Sequence, residues 1–145
     1  MQLRTKTDTI VIHCSATPED MDIGVEKIRE WHVKERGWDD VGYHHIITRN
    51  GTLEPARSEE YMGAHAVAVN NCSIGICLIG GADDKGAWEQ NFTPDQFTTL
   101  KALILNLQKK YGIKKVIGHY QVEPKKECPS FNVIGWLRKE NINVV

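Results

Sequence analysis

The chain has 145 residues, the size of one domain, and its 41% hydrophobic and 26% charged residues exclude a disordered, collagen-like or coiled-coil chain. Eighteen Lys and Arg against 19 Asp and Glu leave a formal net charge of -1, so no global positive field argues for nucleic acid. No apolar run approaches the roughly 20 residues of a membrane span, and the polar opening Met1-Gln2-Leu3-Arg4-Thr5-Lys6-Thr7-Asp8 lacks a signal-peptide core, so the expectation is a cytoplasmic start.

Strand and helix signals alternate along the chain. Asp8–Ser15 carries the β-branched run Ile10-Val11-Ile12 and predicts a buried strand. Val25–Arg36 sets Val25, Ile28 and Trp31/His32 at helical spacing, with Gly37 as the stop. Tyr43–Arg49 reads as a strand, Asn50-Gly51 as a hairpin turn and Thr52–Glu54 as the return. Ser73–Ile79 reads as a central strand. Thr93-Pro94-Asp95-Gln96 has the pattern of a capping box and opens a helix to about Lys110, with Phe97, Leu100, Leu103/Ile104 and Leu107 on one face. Lys115–Gly118 predicts a short strand, and Ser130 is expected to cap a last helix through Val133, Ile134, Trp136 and Leu137. The expected fold class is α/β: a mixed central sheet of about five strands flanked by about three helices.

The cysteines, Cys14, Cys72, Cys77 and Cys128, contain no CxxC pair, and a cytosolic chain of this length seldom needs disulfides. Six histidines prompt a search for metal. His13 closes the first strand, His119 follows the strand at Val116-Ile117, and Cys128 sits in Glu127-Cys128-Pro129. Two imidazoles and a thiolate are a three-ligand zinc set that leaves the fourth position open to water or substrate. Spacing alone leaves other readings open. His13 could bond to backbone at a strand end, Cys128 could be a small buried apolar residue, and His119 could be a surface loop histidine.

Several motifs occur in order: His13-Cys14-Ser15-Ala16-Thr17, Gly42-Tyr43-His44, Gly63-Ala64-His65-Ala66, Asn71-Cys72-Ser73-Ile74-Gly75, Gly118-His119 and Lys126-Glu127-Cys128-Pro129-Ser130-Phe131. The set resembles the zinc-dependent N-acetylmuramoyl-L-alanine amidases of the peptidoglycan recognition protein superfamily, and within it the small single-domain phage amidases. The resemblance spans residues 8–137. It implies one zinc ion per chain on His13, His119 and Cys128, with Tyr43 and Lys126 catalytic. It also implies that His65 and Asn71 contact substrate. Counting back from Cys128 selects Lys126 as the catalytic lysine, whereas counting forward from His119 selects Lys125. No glutamate is singled out as a base, with Glu54, Glu59, Glu60 and Glu123 all formally open.

The implied reaction is hydrolysis of the amide between N-acetylmuramic acid and L-alanine in peptidoglycan. It would be carried out by a single catalytic domain, residues 1–145, acting as a monomer. A phage or prophage endolysin of this kind lyses the host, and needs a separate permeabilising protein such as a holin to reach the wall. The resemblance also implies a second partner, a phage RNA polymerase. A non-catalytic peptidoglycan-binding module is the competing class, whose members typically lack the cysteine ligand. Among the remaining histidines, His32 reads as a satisfied core residue, and His44 and His45 as structural. Cys14 points to the opposite strand face from His13 and reads as core. Trp31, Trp38, Trp88 and Trp136 read as core or rim packing.

Overall fold

The structure, a computed structural model, describes residues 1–143. Five strands form one sheet: β1 (Thr9–Cys14), β2 (His45–Ile47), β3 (Leu53–Pro55), β4 (Ser73–Leu78) and β5 (Lys115–Gly118), in the order β3-β2-β4-β1-β5. β1 pairs in parallel with β4 and β5, and β2 in parallel with β4. β2 and β3 form the antiparallel hairpin signalled by Asn50-Gly51, where Gly51 takes φ +85°.

Side chains alternate across a strand, so each strand serves two layers. Ile10, Ile12 and Cys14 of β1 and Ile74, Ile76 and Leu78 of β4 face a core shared with α2 (Pro94–Lys110) and α3 (Val133–Lys139). Cys77 and Ile79 face the opposite layer, with Ile28 of α1 (Val25–Arg29), Val41 and Ile46. Both faces of β1 and β4 are covered, so all their residues are buried and their sequences read as continuous apolar runs. His13 and Gly75 therefore lie on the α1 face by the same alternation.

α2 forms as its local signals predict. Thr93 Oγ1 accepts from the Gln96 N–H at 3.1 Å, and Gln96 Oε1 accepts from the Thr93 N–H at 2.9 Å. Leu100, Leu103, Ile104 and Leu107 are buried along one stripe, each worth about 1.5–3 kcal/mol. Gln96 is fully buried, and its Nε2 donates to the carbonyls of Ile47 and Ile79, tying α2 to the sheet.

Three local expectations change. The predicted Val25–Arg36 helix is α-helical only to Arg29 and continues as a π-helical segment, Glu30–Glu35, before Gly37 (φ +73°) ends it. β2 is shorter than Tyr43–Arg49, spanning His45–Ile47, although single bonds carry the pairing on before it, His44 N–H to Gly75 O and Arg57 N–H to Tyr43 O. Ser130 does not cap α3. It sits at φ +72° with its hydroxyl donated to Gly81 O at 2.7 Å, and Asn132 caps the helix instead, accepting from the Gly135 N–H at 3.0 Å.

Candidate metal centre

Parallel strands end on the same edge of a sheet, and the carboxyl edge is where such sheets place their ligand sites. β1 delivers His13 there, and the neighbouring β5 runs directly into His119. The loop after His119 folds back so that the Tyr120 N–H donates to Cys128 O at 3.0 Å, which returns Cys128 to the end of β1. The ligand-capable atoms of His13, His119 and Cys128 all lie within 4.8 Å of one another, and His13 Nδ1 is 3.9 Å from Cys128 Sγ. A tetrahedral zinc site with Zn–S about 2.3 Å and Zn–N about 2.0 Å has ligand atoms about 3.5 Å apart. The cluster fits that geometry with little adjustment.

The electrostatics agree. Burial, then neighbouring imidazoles, holds His13 far below the usual histidine value, so it is a neutral donor with a free lone pair. His119 is lowered by burial and by the Lys126 charge. The neighbouring Cys14 thiol and burial push the Cys128 thiol up. A buried thiol of that kind needs a bound cation to become a thiolate. The Cys14 N–H already donates to Cys128 Sγ at 3.1 Å, in place to stabilise the sulfur's negative charge. Two neutral imidazoles and one such thiol fit zinc.

The cluster lies against a cavity of about 280 Å³ lined also by Ser15, His32, Arg36, Trp38, Tyr43, His65, Trp88 and Lys126. The Tyr43 ring is 5.1 Å from the His13 ring, and burial pushes its phenol far up, so its O–H stays protonated. Lys126 is exposed on the rim and lines the cavity; Lys125 is not among the lining residues.

His65 lines the cavity but is 9% exposed, and both ring nitrogens are engaged by protein. Asn71 is exposed and outside the lining. The adjacent Asn70 is the one tied to the site, its Oδ1 accepting from the N–H groups of His65 and Ala66 at 3.0 and 2.9 Å. No local pattern separates the two asparagines, and none singles out Ser73, whose Oγ lies 3.2 Å from His65 Nε2. His32 accepts from the Gly42 N–H and His44 from the Gly75 N–H, as structural histidines do. Glu54 accepts from the Val25 N–H, and Glu59 is held by His45, Lys110 and Tyr111.

Residues 3–131 match the family described as N-acetylmuramoyl-L-alanine amidase. The chain is 48% identical over 139 residues to the endolysin of Escherichia phage T7, covering 96% of this chain and 91% of that protein. The endolysin of Enterobacteria phage T3 matches at the same identity and coverage. Among solved structures, the endolysin amidase LysCS from Clostridium intestinale superposes with a TM-score of 0.82 at 32% identity, covering 99% of this chain and 90% of that one.

Proposed function

This chain belongs to the N-acetylmuramoyl-L-alanine amidase family, and from that premise we propose that it cuts peptidoglycan with one zinc ion held by His13, His119 and Cys128. The observation that carries the zinc reading is the convergence of those three ligand-capable atoms within 4.8 Å beside Tyr43 and Lys126. The bond cut is the amide joining the lactyl carbonyl of N-acetylmuramic acid to L-alanine.

When bound, zinc supplies a water whose pKa falls toward about 7 and polarises the scissile carbonyl. The protein's own groups do the rest. The Lys126 ammonium, on the rim, stabilises the oxyanion that develops on the carbonyl oxygen. The protonated Tyr43 hydroxyl would orient the attacking water and relay its proton, giving the hydroxyl proton to the leaving amine and regaining one from the water. Cys128 and the two imidazoles would hold the ion, and the Cys14 N–H on the sulfur would help keep Cys128 as a thiolate. The presence of Cys128 favours this catalytic reading over a non-catalytic binding module.

Residues 1–145 are proposed to act as one catalytic domain and as a monomer, reaching the wall through a separate permeabilising protein. Among the described residues, no helix is long and apolar enough to cross a membrane. Asn71 is kept as a proposed contact to the peptide stem, from its exposed place beside Asn70. A phage RNA polymerase is a separate proposed partner; unchanged transcription at saturating protein removes it. The reaction is tested by digesting purified peptidoglycan with and without a chelator. New alanine amino termini that disappear with zinc removal are expected. New reducing sugars, or activity indifferent to the chelator, would contradict the reading.

A further inference from the structure

A neutral imidazole carries its proton on either nitrogen, so a histidine that is to ligate a metal must have its tautomer chosen for it. The neighbours of His13 make that choice, beginning at a backbone carbonyl. Ser73 Oγ lies 2.7 Å from Val69 O, which can only accept, so the Ser73 proton points there. The Ser73 oxygen is then left to accept, and the group 3.2 Å away is His65 Nε2. His65 therefore carries its proton on Nε2 and presents a bare lone pair on Nδ1. That lone pair lies 2.8 Å from His13 Nε2, which must donate to it. His13 Nδ1 is left unprotonated, 3.9 Å from Cys128 Sγ and facing the cluster.

The His65 ring is also clamped in place. A Cβ on Gly75 would lie 2.6 Å from its Cγ, and one on Gly63 would lie 2.5 Å from its Cδ2. Both positions are glycine where the ring passes closest. Asn70 Oδ1 fixes the loop by accepting the His65 and Ala66 N–H groups, and the His44 ring stands edge-on with its centroid 5.7 Å away. A ring that is clamped and bonded at both nitrogens has no free hydrogen-bonding atom for substrate.

We propose that His65 and Ser73 are positioning residues that hold His13 in its metal-binding tautomer and orientation, a role that rests on the zinc reading above. His65 then acts on the site through His13, and the substrate contact that the resemblance implies at His65, which lines the cavity, stays a separate proposal. Partners of this kind usually change metal affinity about 10–100-fold when removed.

The test uses the full chain and zinc itself. Zinc affinity is read by competition with a chelator for wild type, His65→Leu, His65→Asn and Ser73→Ala, and nitrogen-15 spectra of the histidine rings are recorded without metal. His65→Leu is expected to weaken zinc binding about 10–100-fold. His65→Asn, whose side-chain oxygen replaces Nδ1 as the acceptor, is expected to recover most of the loss. Ser73→Ala is expected to weaken binding several-fold, although it touches neither the metal nor His13. The wild-type spectra should show His13 and His65 both protonated on Nε2. His65 protonated on Nδ1, or zinc affinity unchanged in Ser73→Ala and His65→Asn together with His65→Leu, would overturn the proposal. So would an equal loss in the Asn and Leu variants. If the Leu variant does not fold, Ser73→Ala and the spectra still decide. Wild-type protein that binds no zinc defeats the zinc reading instead, a result the metal-free spectra keep separate.

Discussion

Gly75→Ala perturbs the metal centre from the far side of His65 and has a magnitude that follows from contact distances. The added Cβ would lie 2.6, 2.7 and 2.8 Å from His65 Cγ, Cδ2 and Nδ1. Ordinary carbon contacts are about 3.5–4.0 Å, so the ring must retreat by about 1 Å. The backbone of Gly63 bounds the ring on another side, where even a Cβ would lie only 2.5 Å from Cδ2, so the retreat is expected to move Nδ1 away from His13. The His13–His65 hydrogen bond, 2.8 Å at present, then passes the limit of about 3.2 Å for an N–H bond to a good acceptor. Overpacking of this size costs about 1–3 kcal/mol. For a chain of this length that is a fall in Tm of roughly 2–12 °C. Zinc affinity should fall about 10–100-fold, as when a ligand's supporting partner is deleted. Thermal melts of metal-free protein and chelator competition read the two effects separately. Gly112→Ala is the control: its Cβ would meet nothing within 4 Å, so neither quantity should change. A Gly75→Ala protein with lowered Tm but wild-type zinc affinity would show that the ring can move without consequence for the metal, and that His65 does not support it.

The remaining predictions concern the rim and the acid limb of stability. Tyr43→Phe should fold normally and lose about 10²-fold or more in kcat, the usual worth of a proton-transfer group; full turnover would exclude the relay role. Lys126→Met should lower kcat about 10²–10³-fold, as loss of an oxyanion donor does, while Lys125→Met should retain most activity; the reverse pattern would move the role to Lys125. Burial holds His44 down to about 4, and burial with the Arg36 and Arg57 charges holds His32 down to about 4. Both therefore gain a proton on unfolding between pH 6.5 and 4, and stability must fall as pH drops through that window. The two groups together contribute a slope of up to about 2.7 kcal/mol per pH unit, each proton adding about 1.36. Urea midpoints of metal-free protein between pH 7 and 4.5 check this, and a flat or rising profile would contradict it.

What was legible in the sequence was what is encoded locally. Thr93, Pro94 and Gln96 start α2 within four residues of one another, and Ile10-Val11-Ile12 declares a strand covered on both faces. The three metal-binding candidates were legible because ordered motifs carry them, although spacing alone left them ambiguous. The site's support was not legible. His65 meets Ser73 and His13 only because β4 and β1 run side by side, a pairing no local pattern reveals. Asn70 and Asn71 are chemically identical neighbours, and a short helical turn decides which one faces the loop backbone. Ser130 has the right chemistry for an N-cap, but its positive φ and its bond to Gly81 depend on how the loop at Cys128 returns to the sheet. The π-helical segment after Arg29 is likewise set by tertiary contact, with His32 turned inward onto the Gly42 N–H.

Everything proposed for the reaction depends on His13, His119 and Cys128 together holding one zinc ion. X-ray absorption at the zinc edge of the purified protein tests it most directly. One zinc per chain is expected, with two nitrogen neighbours at about 2.0 Å, one sulfur at about 2.3 Å and one light-atom neighbour in the open position. The sulfur signal should vanish in Cys128→Ser. Zinc without a sulfur neighbour, or a sulfur signal that survives Cys128→Ser, would show that Cys128 is not a ligand.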